Sequence, residues 1–144
     1  MPYINEILQI LASLIGTAGF GFLFNIRGKK LWFASLGGML SWLLFLLLGG
    51  LIGSEVLRYL IVSMAMTVYA EIFARVLKTP ATTFCIVSLI PLVPGGALYY
   101  TMAYALSDRG QLFIEKAIYT LELAAALSLG IVIVTAIVRF INRK

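Results

Sequence analysis

Long apolar runs alternate with short charged clusters along the chain. A helix needs about 20 residues to cross a bilayer core of about 30 Å. Five runs have this length, and they cover residues 7–26, 31–54, 56–77, 79–107 and 117–138. The pattern therefore predicts an all-α integral membrane protein with five transmembrane helices. Because the connections are short, residues 1–144 are expected to form a single transmembrane domain.

The fourth run contains the stretch IPLVPGGALYYTM, in which two prolines and two glycines interrupt an otherwise helical pattern. Proline removes one helix hydrogen bond, and the residue before it avoids the helical region. Residues 79–107 would form a helix of about 43 Å, longer than the bilayer core. Two half-helices over residues 80–90 and 97–107, each about 16 Å long, fit better. We therefore predict a broken fourth helix with its Pro-Gly motif near the midplane.

Such a break offers recognition chemistry to a ligand. The N-terminus of the second half-helix suits a carboxylate, and the free carbonyls at the end of the first suit an ammonium group. A zwitterionic amino acid matches both ends, and hydroxyl groups follow the break closely. The predicted substrate-binding residues are Pro91, Pro94, Gly95, Gly96, Tyr99, Tyr100, Thr101 and Tyr104. The alternative is a proline kink that only helps helices to pack.

Two glutamates inside the apolar runs are further candidates, because ionisable residues in a membrane are costly and often functional. Glu122 lies about five residues into the fifth run, and Glu71 lies in the third. Either could carry a coupled proton or bind a substrate ammonium group. The structural alternatives are an interfacial or paired Glu122, and a Glu71–Arg75 ion pair at the spacing of one helical turn. Glu55 and Arg58, at the outer end of the third run, are expected to be solvated.

Composition narrows the function classes. Hydrophobic residues make up 62% of the chain and charged residues 12%, against about 25% charged in soluble domains. The net charge of +5 comes from clusters between apolar runs, so it does not indicate nucleic-acid binding. With no histidine and one cysteine, Cys85, the chain cannot supply a Ser-His-Asp triad or the usual zinc ligands. We therefore expect no enzyme activity, no cofactor and no metal.

The distribution of Lys and Arg between the connections predicts the orientation, since cytoplasmic loops carry the excess. Eight of the 11 basic residues fall on one side: Arg27, Lys29, Lys30, Arg75, Lys78, Arg139, Arg143 and Lys144. Arg58, Arg109 and Lys116 fall on the other side. The N-terminus is accordingly expected outside and the C-terminus in the cytoplasm.

Two motifs, in this order, resemble the threonine/serine exporter family. They are G-F-x-x-x-F-N at residues 19–25 and P-x-x-P-G at residues 91–95. The resemblance covers essentially the whole chain and is closest to the C-terminal half of the family, which also occurs as a separate small subunit. It maps Pro91, Pro94 and Gly95 onto the family motif.

The resemblance implies a subunit of an exporter in the bacterial inner membrane, driven by the proton gradient. The implied partners are a larger membrane subunit with the other half, or further copies of this chain. The implied substrates are threonine and serine. A dicarboxylate exporter for succinate and a non-transporting assembly subunit are the alternatives. Because five is odd, a fused second copy would be inverted, which is a common transporter plan.

Overall fold

The computed structural model describes residues 2–107 and 109–142, and the regular elements in these ranges are all helical. A 3-10 turn, Ile90–Leu92, lies between the fourth and fifth of the six α-helices. The helices are α1 (Pro2–Leu23), α2 (Lys29–Gly49), α3 (Glu55–Val76), α4 (Ala81–Leu89), α5 (Gly95–Leu106) and α6 (Gly110–Ile141). The expected all-α fold is confirmed. Arg143 and Lys144, used in the orientation argument, lie outside the described residues.

Four of these helices, α1, α2, α3 and α6, are long and apolar enough to cross a membrane. The pair formed by α4 with its 3-10 turn and α5 passes the same test together, and it is bent by 59° at the break. Counted as one span, the bent pair brings the number to five. The expectation of a fourth helix broken at the Pro-Gly motif is therefore confirmed.

Two helices end in Schellman motifs, in which a left-handed residue redirects the chain and satisfies the last carbonyls. Asn25 has a φ of 57°, and the next N–H, of Ile26, donates to the Gly21 carbonyl. Lys78 repeats this arrangement after α3, with a φ of 48° and the Thr79 N–H bonded to Ala74. Both motifs give sharp ends beside the basic clusters. Asn25 thus acts as a helix terminus, as its place beside the basic loop suggests.

Helix α3 is central and packs against α2, α4 and α6. Its N-terminus is capped by Ser54, whose side chain accepts a hydrogen bond from the Leu57 N–H. One long face is buried, including Tyr59, Val62 and Met66. Helix α1 packs mainly on α2, and α5 mainly on α6. The broken pair is therefore held by α2 and α3 on its first half and by α6 on its second.

Small residues allow the helices to approach closely at three crossings. A Cβ at Gly38 would overlap the Thr17 side chain of α1, and one at Gly37 would overlap the Ser88 hydroxyl of α4. A Cβ at Gly130 of α6 would overlap the Ser63 hydroxyl and lie 2.9 Å from the Leu60 carbonyl oxygen. Close approach of this kind is the usual basis of helix packing in membranes, where lipid gives no hydrophobic drive. These crossings set the spacing of α2 from α1 and α4, and of α6 from α3.

Candidate functional site

The break between α4 and α5 is a defined turn. The Val93 N–H donates to Ile90, which closes the 3-10 turn. Pro94 has φ −75° and ψ 56°, and the Gly95 N–H donates to the Val93 carbonyl over 2.7 Å. These dihedrals and the bond across one residue form an inverse γ-turn. The turn places α5 at 59° to α4 and gives a new helix start inside the apolar run.

The start of α5 keeps two backbone donors available. The Gly95 N–H is used in the γ-turn, and the Leu98 N–H donates to the Pro94 carbonyl. The N–H groups of Gly96 and Ala97 belong to the first helical turn and have no intrahelical acceptor. A Cβ built at Gly95 or Gly96 would meet no atom within 4 Å. The backbone there is open to close approach, and its partial positive charge suits an anion.

These donors open into a cavity of about 300 Å³, which we call the break cavity. The size is at the lower end of the range for small-molecule sites. The break supplies one wall, and side chains of α2, α3 and α6 supply the others. The lining includes Pro91, Pro94, Gly95, Gly96, Ala97 and Tyr100 from the broken pair, and Trp42, Glu55, Tyr59, Lys116 and Tyr119 from its neighbours.

Charges of both signs meet in the break cavity. The Tyr119 hydroxyl donates a hydrogen bond to the Glu55 carboxylate. The Lys116 ammonium lies 5.2 Å from the centroid of the Tyr119 ring, within cation–π range. Tyr119 thus lies between a fixed carboxylate and a cation. Together with the α5 N-terminus, the cavity can contact an ammonium group and a carboxylate at once.

Glu55 and Arg58 are not simply solvated, contrary to the expectation from their place at the end of an apolar run. Glu55 is half-buried and bonded to Tyr119. The Arg58 guanidinium carbon lies 4.7 Å from the centroid of the Phe45 ring, and the Arg58 Nε is buried without a hydrogen-bond partner. Phe45 packs edge-on against Tyr59, which lines the cavity. The cause is helix packing on α3: α2 places the Phe45 ring over Arg58, and α6 brings the Tyr119 hydroxyl to Glu55.

A second and larger cavity, of about 620 Å³, lies on the other side of the break. We call it the groove. Its walls come from α3, α4 and α6, and they are mostly apolar. Its polar lining consists of Thr67, Glu71, Thr82, Cys85, Ser128, Thr135 and Arg139. Glu71, one of the two predicted proton or ammonium sites, therefore lies here and not in the break cavity.

The two helix ends at the break face different spaces. Leu89 and Ile90, at the carbonyl end of α4, line the groove, whereas Gly95 and Gly96 line the break cavity. From the sequence, both ends are expected to meet in one site. The 3-10 turn and the γ-turn insert Pro91–Pro94 between them, and this separates the ends. In the break cavity it is Glu55 that could receive an ammonium group.

The remaining predicted residues are distributed along α5 and α6. The Tyr99 side chain is 68% exposed and packs edge-on against Tyr100, which in turn stacks on Tyr104. Thr101 is buried, and its hydroxyl lies 3.1 Å from that of Thr120 in the α5–α6 interface. Glu122 is exposed on a face of α6 away from both cavities. Of this group, the structure brings only Tyr100 into the break cavity.

Sequence reasoning missed the residues that complete the break cavity from α2, α3 and α6. Trp42, Tyr59 and Tyr119 are not among the residues that the sequence pattern singles out, and Lys116 enters the sequence analysis only through the orientation. The available signal was the opposite charge of Glu55 and Lys116 at the same expected side of the membrane. Among the residues that the structure describes, no group of three or more His, Cys, Asp or Glu side chains could hold a metal ion.

A helix broken inside an apolar run, opening onto a cavity with charges of both signs, is an arrangement typical of membrane transporters. The family described as "Threonine/Serine exporter, ThrE" has a model that matches residues 9–137. The chain belongs to this family, as the two sequence motifs indicated, and it is a multi-pass membrane protein of transport type. No curated protein and no solved structure matches the chain.

Proposed function

We propose that the chain is a half-transporter subunit of a proton-gradient-driven exporter of small carboxylate-bearing metabolites, with threonine and serine as its substrates. The observation that carries this proposal is the composition of the break cavity. The free N–H groups of Gly96 and Ala97 and the Lys116 ammonium suit a carboxylate. The Glu55 carboxylate, held by Tyr119, suits an ammonium group. A zwitterion of the size of threonine satisfies both sides.

The charge balance of the break cavity supports an amino acid over a dicarboxylate. Succinate brings two negative charges, and one of them would lie near Glu55. Like charges in a site of low dielectric constant repel strongly. Positive contacts for the second carboxylate of succinate would have to come from another chain. A succinate exporter therefore remains the alternative substrate class, and a non-transporting assembly subunit the alternative role.

The location of Glu122 supports a partner in the membrane. Its carboxylate lies on the exposed face of α6, where contact with lipid tails would be costly. A neighbouring chain that covers this face, or a bound proton, would remove that cost. We propose the larger subunit with the other exporter half as this partner, with a homo-oligomer as the alternative. Glu122 and Glu71 are the proposed sites of proton coupling.

The proposed location is the bacterial inner membrane, with the N-terminus outside and the C-terminus cytoplasmic. In this orientation the break cavity lies toward the outer surface, because Glu55 begins α3 on that side. The groove then lies toward the cytoplasm. The basic clusters beside the two Schellman motifs support this assignment through the excess of positive charge in cytoplasmic loops.

The proposal is tested by exchange assays in proteoliposomes that contain the chain with the larger subunit. We expect threonine and serine to exchange against labelled threonine, and succinate to compete poorly. Glu55→Gln should weaken threonine exchange and narrow the preference for threonine over succinate, because the site loses its negative charge. Glu6→Gln, an exposed carboxylate on α1, is the matched control. Succinate exchange without threonine exchange would support the alternative, and full exchange by the isolated monomer would contradict the half-transporter.

A further inference from the structure

The break cavity and the groove meet at one short segment. Val93 and Pro94 line both of them. Pro94 is the centre of the γ-turn, and the Val93 side chain is 60% exposed. Val93 and Pro94 therefore belong to the walls of both spaces, and their backbone is irregular. In a membrane, such backbone is tolerated where it is buried in protein or lines a wet cavity.

The two cavities extend toward opposite ends of the same helices. The break cavity reaches Glu55 in the first turn of α3 and Lys116 near the start of α6. The groove reaches Glu71 near the end of α3 and Arg139 in the last turn of α6. Since α3 and α6 run side by side, the cavities lead to opposite membrane surfaces.

The groove exists because α4 and α6 both pack on α3 with an open space between them. It is polar along its floor, where Thr67 and Glu71 of α3 lie, and it carries Arg139 at its far end. Leu89 and Ile90, at the end of α4, line the groove near the break. A zwitterion in the groove would therefore meet a carboxylate for its ammonium group and a guanidinium for its carboxylate.

We infer that the groove is the passage by which the same zwitterionic substrate reaches the break from the opposite membrane surface, and that Val93 and Pro94 separate it from the break cavity. This inference rests on the proposed function. The Val93 side chain closes the passage, and the γ-turn at Pro94 is where a small change in ψ would move it. Binding at the break cavity and access through the groove are then distinct steps.

Accessible cysteines test the passage in membrane vesicles of either orientation, from cells that produce the chain with its native membrane partners. Cys85 is the chain's one cysteine, so Cys85→Ser is the background. Ile86→Cys reports on the groove, and Ile72→Cys is the control. The two isoleucines are 55% and 54% exposed, but Ile72 does not line the groove. Gly95→Cys reports on the break cavity, and Thr79→Cys and Gly53→Cys mark the two surfaces.

We expect a charged, membrane-impermeant thiol reagent to label Ile86→Cys from the Thr79 side about tenfold faster than Ile72→Cys, because only a hydrated thiolate reacts. Gly95→Cys should be labelled from the Gly53 side. If Ile86→Cys reacts only with a lipid-soluble maleimide, lipid or a partner helix fills the groove and the inference is wrong. Binding of labelled threonine to the Cys85→Ser protein with its partner tests the proposed function separately, since it does not depend on the groove.

A bulky residue at Val93 tests the partition itself. Val93→Trp is expected to abolish threonine exchange, while Ile86→Cys and Gly95→Cys are still labelled from their own sides. Leu98→Trp is the control, because Leu98 is 50% exposed on α5 and lines neither cavity. Unchanged exchange in Val93→Trp would overturn the role of Val93. Failure of the Cys85→Ser protein with its partner to bind labelled threonine would count against the proposed function instead.

Discussion

The Tyr119 hydroxyl on α6 donates a hydrogen bond to the Glu55 carboxylate on α3, across 64 residues of sequence. This bond joins the start of α3 to the start of α6 beside the helix break. It orients the carboxylate in the break cavity, and the Lys116 ammonium lies 5.2 Å from the centroid of the same Tyr119 ring. The polar chemistry of the cavity therefore depends on how α3 and α6 pack.

Removal of this hydroxyl should affect transport more than stability. Tyr119→Phe is expected to raise the KM for threonine about tenfold, since a hydrogen bond to a charged group contributes about 1.5–3 kcal/mol. Interhelical hydrogen bonds in membranes contribute only about 0.6 kcal/mol to stability. The control is Tyr69→Phe, which removes a 2.7 Å bond to the Phe33 carbonyl far from the cavity. Equal KM values in the two variants would show that Glu55 needs no orientation.

The open backbone at the start of α5 predicts a selective loss of function. Gly95→Leu should fold, because a Cβ there meets no atom within 4 Å, but its side chain should cover the free N–H groups. Gly110→Leu is a matched control, because Gly110 is the first residue of α6 and is equally open. We expect Gly95→Leu to lose threonine exchange at normal assembly and Gly110→Leu to keep it. Exchange by both variants would leave the break with a packing role only.

The crossing of α3 and α6 predicts the opposite outcome, a loss of stability. A Cβ in Gly130→Ala overlaps the Ser63 hydroxyl and lies 2.9 Å from the Leu60 carbonyl oxygen, so backbone must move. Overpacking of this kind costs about 1–3 kcal/mol. Gly16→Ala on α1, where a Cβ meets nothing within 4 Å, should instead gain about 0.5–1 kcal/mol. Thermal unfolding in detergent would compare them, and a Gly130→Ala protein as stable as the parent would contradict the close crossing.

The break was predictable from the sequence because its causes are local. Pro91, Pro94 and the two glycines act on the backbone of their own segment, and Asn25 ends α1 through its own left-handed φ. The helix lengths were less predictable from the sequence. Helix α6 begins at Gly110 although its apolar run begins near residue 117, because a helix continues into the interface where charged residues are tolerated.

Only part of the break cavity was predictable, because some of its residues are placed by local sequence and others by helix packing. The residues of the break lie in one segment, whereas Glu55, Lys116 and Tyr119 meet through the packing of α3 on α6. That packing depends on small residues such as Gly130. Regularly spaced small residues are frequent by chance in apolar helices, so the sequence does not show which of them form contacts. The carbonyl end of α4 was assigned to the wrong space because a length argument cannot give the 59° bend.

The proposed proton coupling by Glu122 can be tested against a second exposed glutamate on the same helix. Glu122 and Glu115 are both exposed on α6, seven residues apart on one face, so they form a matched pair. Glu122→Gln should keep threonine exchange, which needs no net proton movement, and should lose export driven by a pH gradient. Glu115→Gln should keep both. Measurement of gradient-driven export against exchange in the same proteoliposomes distinguishes these results.

An unchanged response of Glu122→Gln to the pH gradient would remove Glu122 from the coupling, and Glu71→Gln would then be the next variant to compare. A Glu122→Gln protein that no longer copurifies with the larger subunit would instead assign the carboxylate to the subunit interface.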